Sequence, residues 1–167
     1  LVANIGDDYF GKECLDVFIA EGVGTEFITS HKGRKTNYHY VLWYGSDRTI
    51  LVKHETYQYT LPDIGTPSWI YLSSLGENSL DFHKQIEAYL RDRPGIKLAF
   101  QPGTYQMKFG VEKLKGIYQR TEVFFCNKEE AQRILETKED NIKKLMQEIA
   151  ALGPKIVAIT DGVNGAY

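Results

Sequence analysis

Asn127-Lys128-Glu129-Glu130 places an amide and a carboxylate three residues apart where an apolar run gives way to a helical pattern. Such a pair can hold the water shell of Mg²⁺, a cation that keeps several waters and takes few protein oxygens. The same spacing is that of a capping box, with Asn at N-cap and Glu at N3. By spacing alone the cap is the favoured reading, and the two are compatible. Thr160-Asp161-Gly162 ends another apolar run. A hydroxyl and an unhindered backbone at the carboxyl end of a strand suit a phosphate, because ligands of open α/β sheets gather there. By local chemistry alone, Asp-Gly followed by Asn-Gly is an ordinary turn.

Other residues with reactive types read as structural. Asp7 and Asp8 resemble a catalytic carboxylate pair, but acids in the first turn of a helix satisfy its free amides and its dipole; neither receives a catalytic role. The four histidines lack metal-ligand spacing. If the chain between Tyr44 and Thr49 is a four-residue loop, His39 faces His54, and two ligands do not make a site. Cys126 beside Asn127 reads as a core residue. Tyr38, Tyr40, Trp43, Tyr44, Tyr57 and Tyr59 crowd one stretch. They suit stacking on a sugar or base, and they suit an interface with a second subunit equally well.

The elements that must position these residues follow from periodicity. Leu1 to Ile5 is a strand. Asp8 caps the next helix, whose Phe10, Cys14, Val17 and Phe18 form one apolar face, predicted to be buried, and Gly22 ends it. Thr36–Tyr44 and Thr49–His54 form a hairpin around Gly45-Ser46-Asp47-Arg48. Strands are then predicted at 69–72, 96–100, 122–126 and 155–160. Helices are predicted at 79–90, 111–118, 128–135 and 139–152, with Thr137 to Asp140 as the capping signal of the last. Strands alternating with helices predict a parallel sheet with helices on both faces, from which the hairpin projects as an insertion. The fold class is α/β, a Rossmann-like three-layer structure with a mainly parallel sheet plus a β-hairpin lid.

Composition narrows the partners. Twenty basic against 22 acidic residues leave a net charge of -2, which gives no electrostatic reason to expect nucleic acid or an anionic membrane. Two distant cysteines make no disulfide framework and fit reduced thiols in a cytoplasmic protein. No window is apolar enough to span a bilayer. The chain opens on Leu1 inside a strand and closes on Gly165-Ala166-Tyr167, where another strand is due. It reads as an internal piece of a longer protein.

Four local sequences, in order, resemble the ribokinase or PfkB carbohydrate kinase family: Gly6-Asp7-Asp8-Tyr9-Phe10-Gly11 before a helix and Glu21-Gly22-Val23; the hairpin 36–54, at the place of the family's lid; Asn127-Lys128-Glu129-Glu130-Ala131, matching Asn-x-x-Glu; and Ile159 to Ala166, matching the strand and turn that meet the nucleotide. The resemblance runs over 1–167 as a partial kinase domain. It implies phosphorylation of a hydroxyl of a sugar or nucleoside substrate by ATP, with Mg²⁺. Asn127 and Glu130 would act on the metal through water, and Thr160 and Gly162 on the nucleotide. It also places the glycine-rich substrate segment before Leu1 and the Gly-Ala-Gly-Asp motif after Tyr167. That motif carries the base and the anion hole, so no catalytic residue is expected within these residues and the piece alone is expected to be inactive. Gln101-Pro102-Gly103 departs from the family, where Asn or Asp before Pro is commoner. The competing function is a non-catalytic nucleotide- or sugar-binding regulator on the same scaffold. A homodimer through the lid hairpin is a further expectation.

Overall fold

The computed structural model describes residues 1–45 and 47–167. The chain divides into two compact units, Leu1–Ile64 and Gly65–Tyr167.

In the first unit, β1 (Ala3–Gly6) pairs in parallel with β2 (Ile28–His31), and α1 (Tyr9–Ala20) lies between them in sequence. Asp8 caps α1 by accepting from the Gly11 amide at 3.1 Å. It does more than cap: the Thr36 hydroxyl donates to Asp8 Oδ1 at 2.6 Å and the Thr36 amide to Oδ2 at 3.2 Å. Asp7 Oδ1 accepts from the Gly33 amide at 2.9 Å. The two acids thus fasten the β1–α1 turn to the strand approach of the hairpin, in keeping with a structural role. Gly6 is required there because a Cβ would meet the Arg34 carbonyl oxygen at 2.3 Å. At the other end of α1, the Gly22 amide reaches Ile19 O and the Val23 amide Phe18 O, the paired bonds of a Schellman stop.

The expected buried face of α1 does not form within this unit. Gly11 is its one buried residue, whereas Phe10 is 38% and Val17 52% exposed. Periodicity marks a face as apolar without saying what covers it.

The hairpin consists of β3 (Tyr38–Tyr44) and antiparallel β4 (Asp47–Lys53). Tyr44 pairs with Asp47, so two residues separate the strands rather than four, and the polar pair Asp47-Arg48 joins the ladder instead of the turn. Ser46, part of the expected loop, lies outside the described residues. The changed register sets His39 opposite Val52; its ring lies diagonal to His54, with centroids 6.0 Å apart.

The second unit holds a four-stranded, wholly parallel sheet in sequence order: β5 (Trp69–Leu72), β6 (Lys97–Phe100), β7 (Thr121–Asn127) and β8 (Ile156–Thr160). This is the parallel sheet with accompanying hairpin that the alternation predicts. The connections carry α2 (Leu80–Arg91), α3 (Thr104–Phe109), α4 (Lys115–Arg120), α5 (Lys128–Ile134) and α6 (Ile142–Ala151). Leu98, Phe100, Phe124 and Ile159 are fully buried and pack with Leu90, Ile117, Leu145 and Ile149 of the helices. Trp69 and Tyr71 of β5, Phe125 of β7 and Ile156 of β8 are exposed, next to or alternating with buried residues of the same strands.

Two helix details differ from the sequence reading. The segment predicted as one helix at 111–118 is a 3₁₀ turn, Glu112–Leu114, followed by α4, and α3 precedes it unforeseen. The last helix starts later than predicted, because Asn141 caps it by accepting from the Lys143 and Lys144 amides at 3.0 and 3.3 Å.

Candidate functional site

The carboxyl ends of the four strands form a line of polar residues: Ser73 after β5, Gln101 after β6, Asn127 at the end of β7 and Thr160 at the end of β8. Asn127 and Thr160 are partners in the β7–β8 register. The fold therefore brings together two residues that lie 33 positions apart in sequence.

The capping box is fully formed. Asn127 Oδ1 accepts from the Glu130 amide at 2.7 Å, and Glu130 Oε2 accepts from the Asn127 amide at 2.9 Å. This fixes the Glu130 carboxylate at the strand end. It uses one carboxylate oxygen, and Oε1 accepts no hydrogen bond among the described residues. That arrangement fits a water-mediated Mg²⁺ partner. Among the described residues no group of three or more His, Cys, Asp or Glu could hold a metal directly.

Beyond Thr160 the chain makes a tight turn and comes back along β8. Asp161 O accepts from the Asn164 amide at 2.9 Å, and Ile159 and Tyr167 exchange both backbone bonds at 3.0 and 2.9 Å. Gly162 has φ +53, a conformation costly for other residues. Gly162 and Val163 are exposed, and their amides reach no protein acceptor among the described residues. They leave two donors open next to the exposed Thr160 hydroxyl.

Lys128, the first residue of α5, went unassigned in the sequence. Its ammonium pairs with Asp140 at 3.0 Å, with side-chain exposures of 22% and 82%. The hydrogen bond it donates to Asp140 raises its pKa more than burial lowers it, and the Asp140, Asp161 and Glu129 charges add to the rise. A cation at the positive end of a helix dipole is a mismatch readable from sequence, and it is the signal that could have found this residue. Cys126, directly before Asn127, is buried, and burial pushes its thiol up to about 12, so it supplies no thiolate.

Gln101 is held by the Tyr71 hydroxyl, which donates to its Oε1. Gln106 ties the β5 end to α3: its amide nitrogen donates to Ser73 O at 3.1 Å and its Oε1 accepts from the Gly103 amide at 3.1 Å. In the first unit, the tyrosine-rich stretch divides. Tyr57 is buried beside His31, and Tyr38 packs on Phe10 and Tyr40. Tyr40, Trp43 and Tyr44 are 57%, 67% and 88% exposed and therefore available for contact.

Comparison with known proteins bears on the whole chain. The family profile described as pfkB family carbohydrate kinase matches residues 1–167. An uncharacterized sugar kinase of Archaeoglobus fulgidus is 23% identical over 173 residues, covering 99% of this chain and 67% of the relative. Among solved structures, Halothermothrix orenii fructokinase is similar with TM-score 0.79 and 22% identity, over 99% of this chain and 63% of that one. The ribokinase of Giardia lamblia is similar with TM-score 0.77 and 20% identity, over 99% of this chain and 54% of that one. These likenesses show the fold, and the chain spans less than two thirds of the length of either solved structure. No helix among the described residues is long and apolar enough to cross a membrane.

Proposed function

Because the chain belongs to the pfkB family of carbohydrate kinases, we propose that the whole protein transfers the γ-phosphate of ATP to a hydroxyl of a sugar or nucleoside. The observation that carries this reading is the β7–β8 register, which sets Asn127 beside Thr160 at the carboxyl end of a parallel sheet. Phosphoryl transfer asks a protein mainly to position its reactants and to neutralise charge. Thr160 and the open amides of Gly162 and Val163 face that task with donors for phosphate oxygens. Glu130, held by its cap with one oxygen spare, would organise the water around Mg²⁺, and Asn127 would share that role. The metal would supply charge neutralisation on the phosphates. These 167 residues contain no Gly-Ala-Gly-Asp, so the base and anion hole belong to the rest of the protein in this reading, and the isolated chain should be inactive.

The hairpin is the proposed lid, with Tyr40, Trp43 and Tyr44 as its contact surface toward substrate or a second subunit. The same reading places the protein in the cytoplasm, with neither nucleic acid nor membrane as a partner.

The test measures ADP formation by the full-length protein with MgATP and a panel of sugars and nucleosides. Substrate-dependent ADP release is expected. It should fall about 100-fold or more in the isolated 167-residue chain, the typical effect of losing a base or an oxyanion donor. Nucleotide binding without turnover on any substrate would instead favour a non-catalytic regulator.

A further inference from the structure

Lys128 has no helical reason to stand where it does. The first turn of α5 already carries Glu129 and Glu130, the charges its dipole favours, and an ammonium there opposes that dipole. Its partner Asp140 is exposed and sits in the loop before α6, where Oδ1 also accepts from Gln132 Nε2 at 3.2 Å. An exposed ion pair of this kind is weak and easily exchanged. Lys128 directly follows Asn127, the register partner of Thr160, and so opens α5 at the strand end from which the Thr160–Gly165 turn leaves.

Acids are frequent in the segments that meet here: Glu129 and Glu130 open α5, Asp140 holds Lys128, and Asp161 follows Thr160. Phosphoryl groups are held by cations placed on their oxygens, and Lys128 is the cation next in sequence to Asn127. A lysine is a point charge on a flexible stem that can swing between two anions.

We propose that Lys128 is a nucleotide-binding residue for which Asp140 and the phosphates of the nucleotide compete. This rests on the nucleotide reading of Thr160 and Gly162. Asp140 then lowers nucleotide affinity by occupying the ammonium, so the two members of one ion pair have opposite effects on binding. A pair that only fastens the loop to α5 would not behave so.

The experiment titrates MgATP, and adenosine in parallel, into the full-length protein and its Lys128→Met and Asp140→Asn variants. Calorimetry gives Kd, and thermal unfolding checks that each variant is folded. Lys128→Met should raise the Kd of MgATP about tenfold, as expected for loss of a charge-assisted contact, and leave that of adenosine unchanged. Asp140→Asn should lower the MgATP Kd about twofold to fivefold, on the scale of an exposed ion pair. The wild-type Kd should also rise more steeply with salt than that of Lys128→Met. Unchanged MgATP affinity in Lys128→Met, or weaker binding in Asp140→Asn, overturns the proposal while wild-type binding keeps the nucleotide reading intact. If Lys128→Met does not fold, the direction of the Asp140→Asn shift decides alone. Wild-type protein that binds no MgATP overturns both readings together.

Discussion

Replacing Glu130 by Gln separates what the residue does for the helix from what it does for the metal. In the structure Glu130 Oε2 accepts from the Asn127 amide at 2.9 Å, and its own amide donates to Asn127 Oδ1 at 2.7 Å. A Gln amide oxygen can take over the first bond, and the second is a backbone bond that the substitution leaves alone. Stability should therefore change by less than about 1 kcal/mol, a Tm shift of no more than about 2–4 °C for a protein of this size. Glu130→Ala leaves the Asn127 amide without its acceptor and should cost more, about 0.5–1.5 kcal/mol. Activity should order differently. Glu130→Gln loses the formal charge that orients water around the metal, and outer-shell partners of this kind are typically worth about 10- to 100-fold in metal affinity or activity. The assay is kcat of the full-length enzyme against Mg²⁺ concentration, beside thermal unfolding of the same samples. Glu130→Gln should keep its Tm, lose turnover at low Mg²⁺ and regain part of it at high Mg²⁺. Normal turnover with normal Mg²⁺ dependence would reduce Asn127 and Glu130 to a helix cap.

Two further outcomes follow from burial. Cys126 is 3% exposed and its thiol is pushed up to about 12 by burial and by the Glu130 charge, whereas Cys14 is half-buried; a thiol-specific reagent at pH 8 should modify Cys14 alone in the native protein and both in denaturant, and fast native modification of Cys126 would contradict the packing. His83 is 1% exposed, its Nδ1 bonded to Ser79 O at 2.7 Å and its Nε2 without a partner among the described residues, and desolvation holds its pKa below the ordinary value. The unfolded chain then binds the extra proton first, so His83 costs stability as pH falls below about 6.5; Tm measured from pH 8 to 5 should fall more steeply in wild type than in His83→Leu, and parallel curves would refute the assignment.

What could be read from sequence follows the range of the forces involved. The Asn127–Glu130 box and the Gly22 stop are formed by neighbours along the chain, and the residues themselves specify them. The strands 69–72 and 155–160 are legible because each is a short run of apolar, aromatic and β-branched residues bounded by turns. The hairpin register is not. Asp47-Arg48 looks like turn chemistry, yet its backbone pairs across the ladder, and shifting the loop by two residues moves His39 from His54 to Val52. Helix α3 was missed because its six residues hold no apolar period; Gln106 draws it in through bonds to Ser73 and Gly103, one of them across 33 positions. For Lys128 the dipole mismatch is legible in the sequence, whereas its partner Asp140 is not, because the α5–α6 connection brings the two together.

The sequential order of the second sheet bears on how the protein is made. Among the described residues β5 pairs with β6, β6 with β7 and β7 with β8, so each strand after β5 meets a partner already made. On a ribosome, each emerging helix and strand can be added to the edge already in place. Growth of this kind keeps the loops to be closed short, which favours rapid folding, and it leaves a single advancing strand edge exposed at a time. When β8 arrives, it brings Thr160 alongside Asn127, so the proposed nucleotide site forms only once both strands have been made.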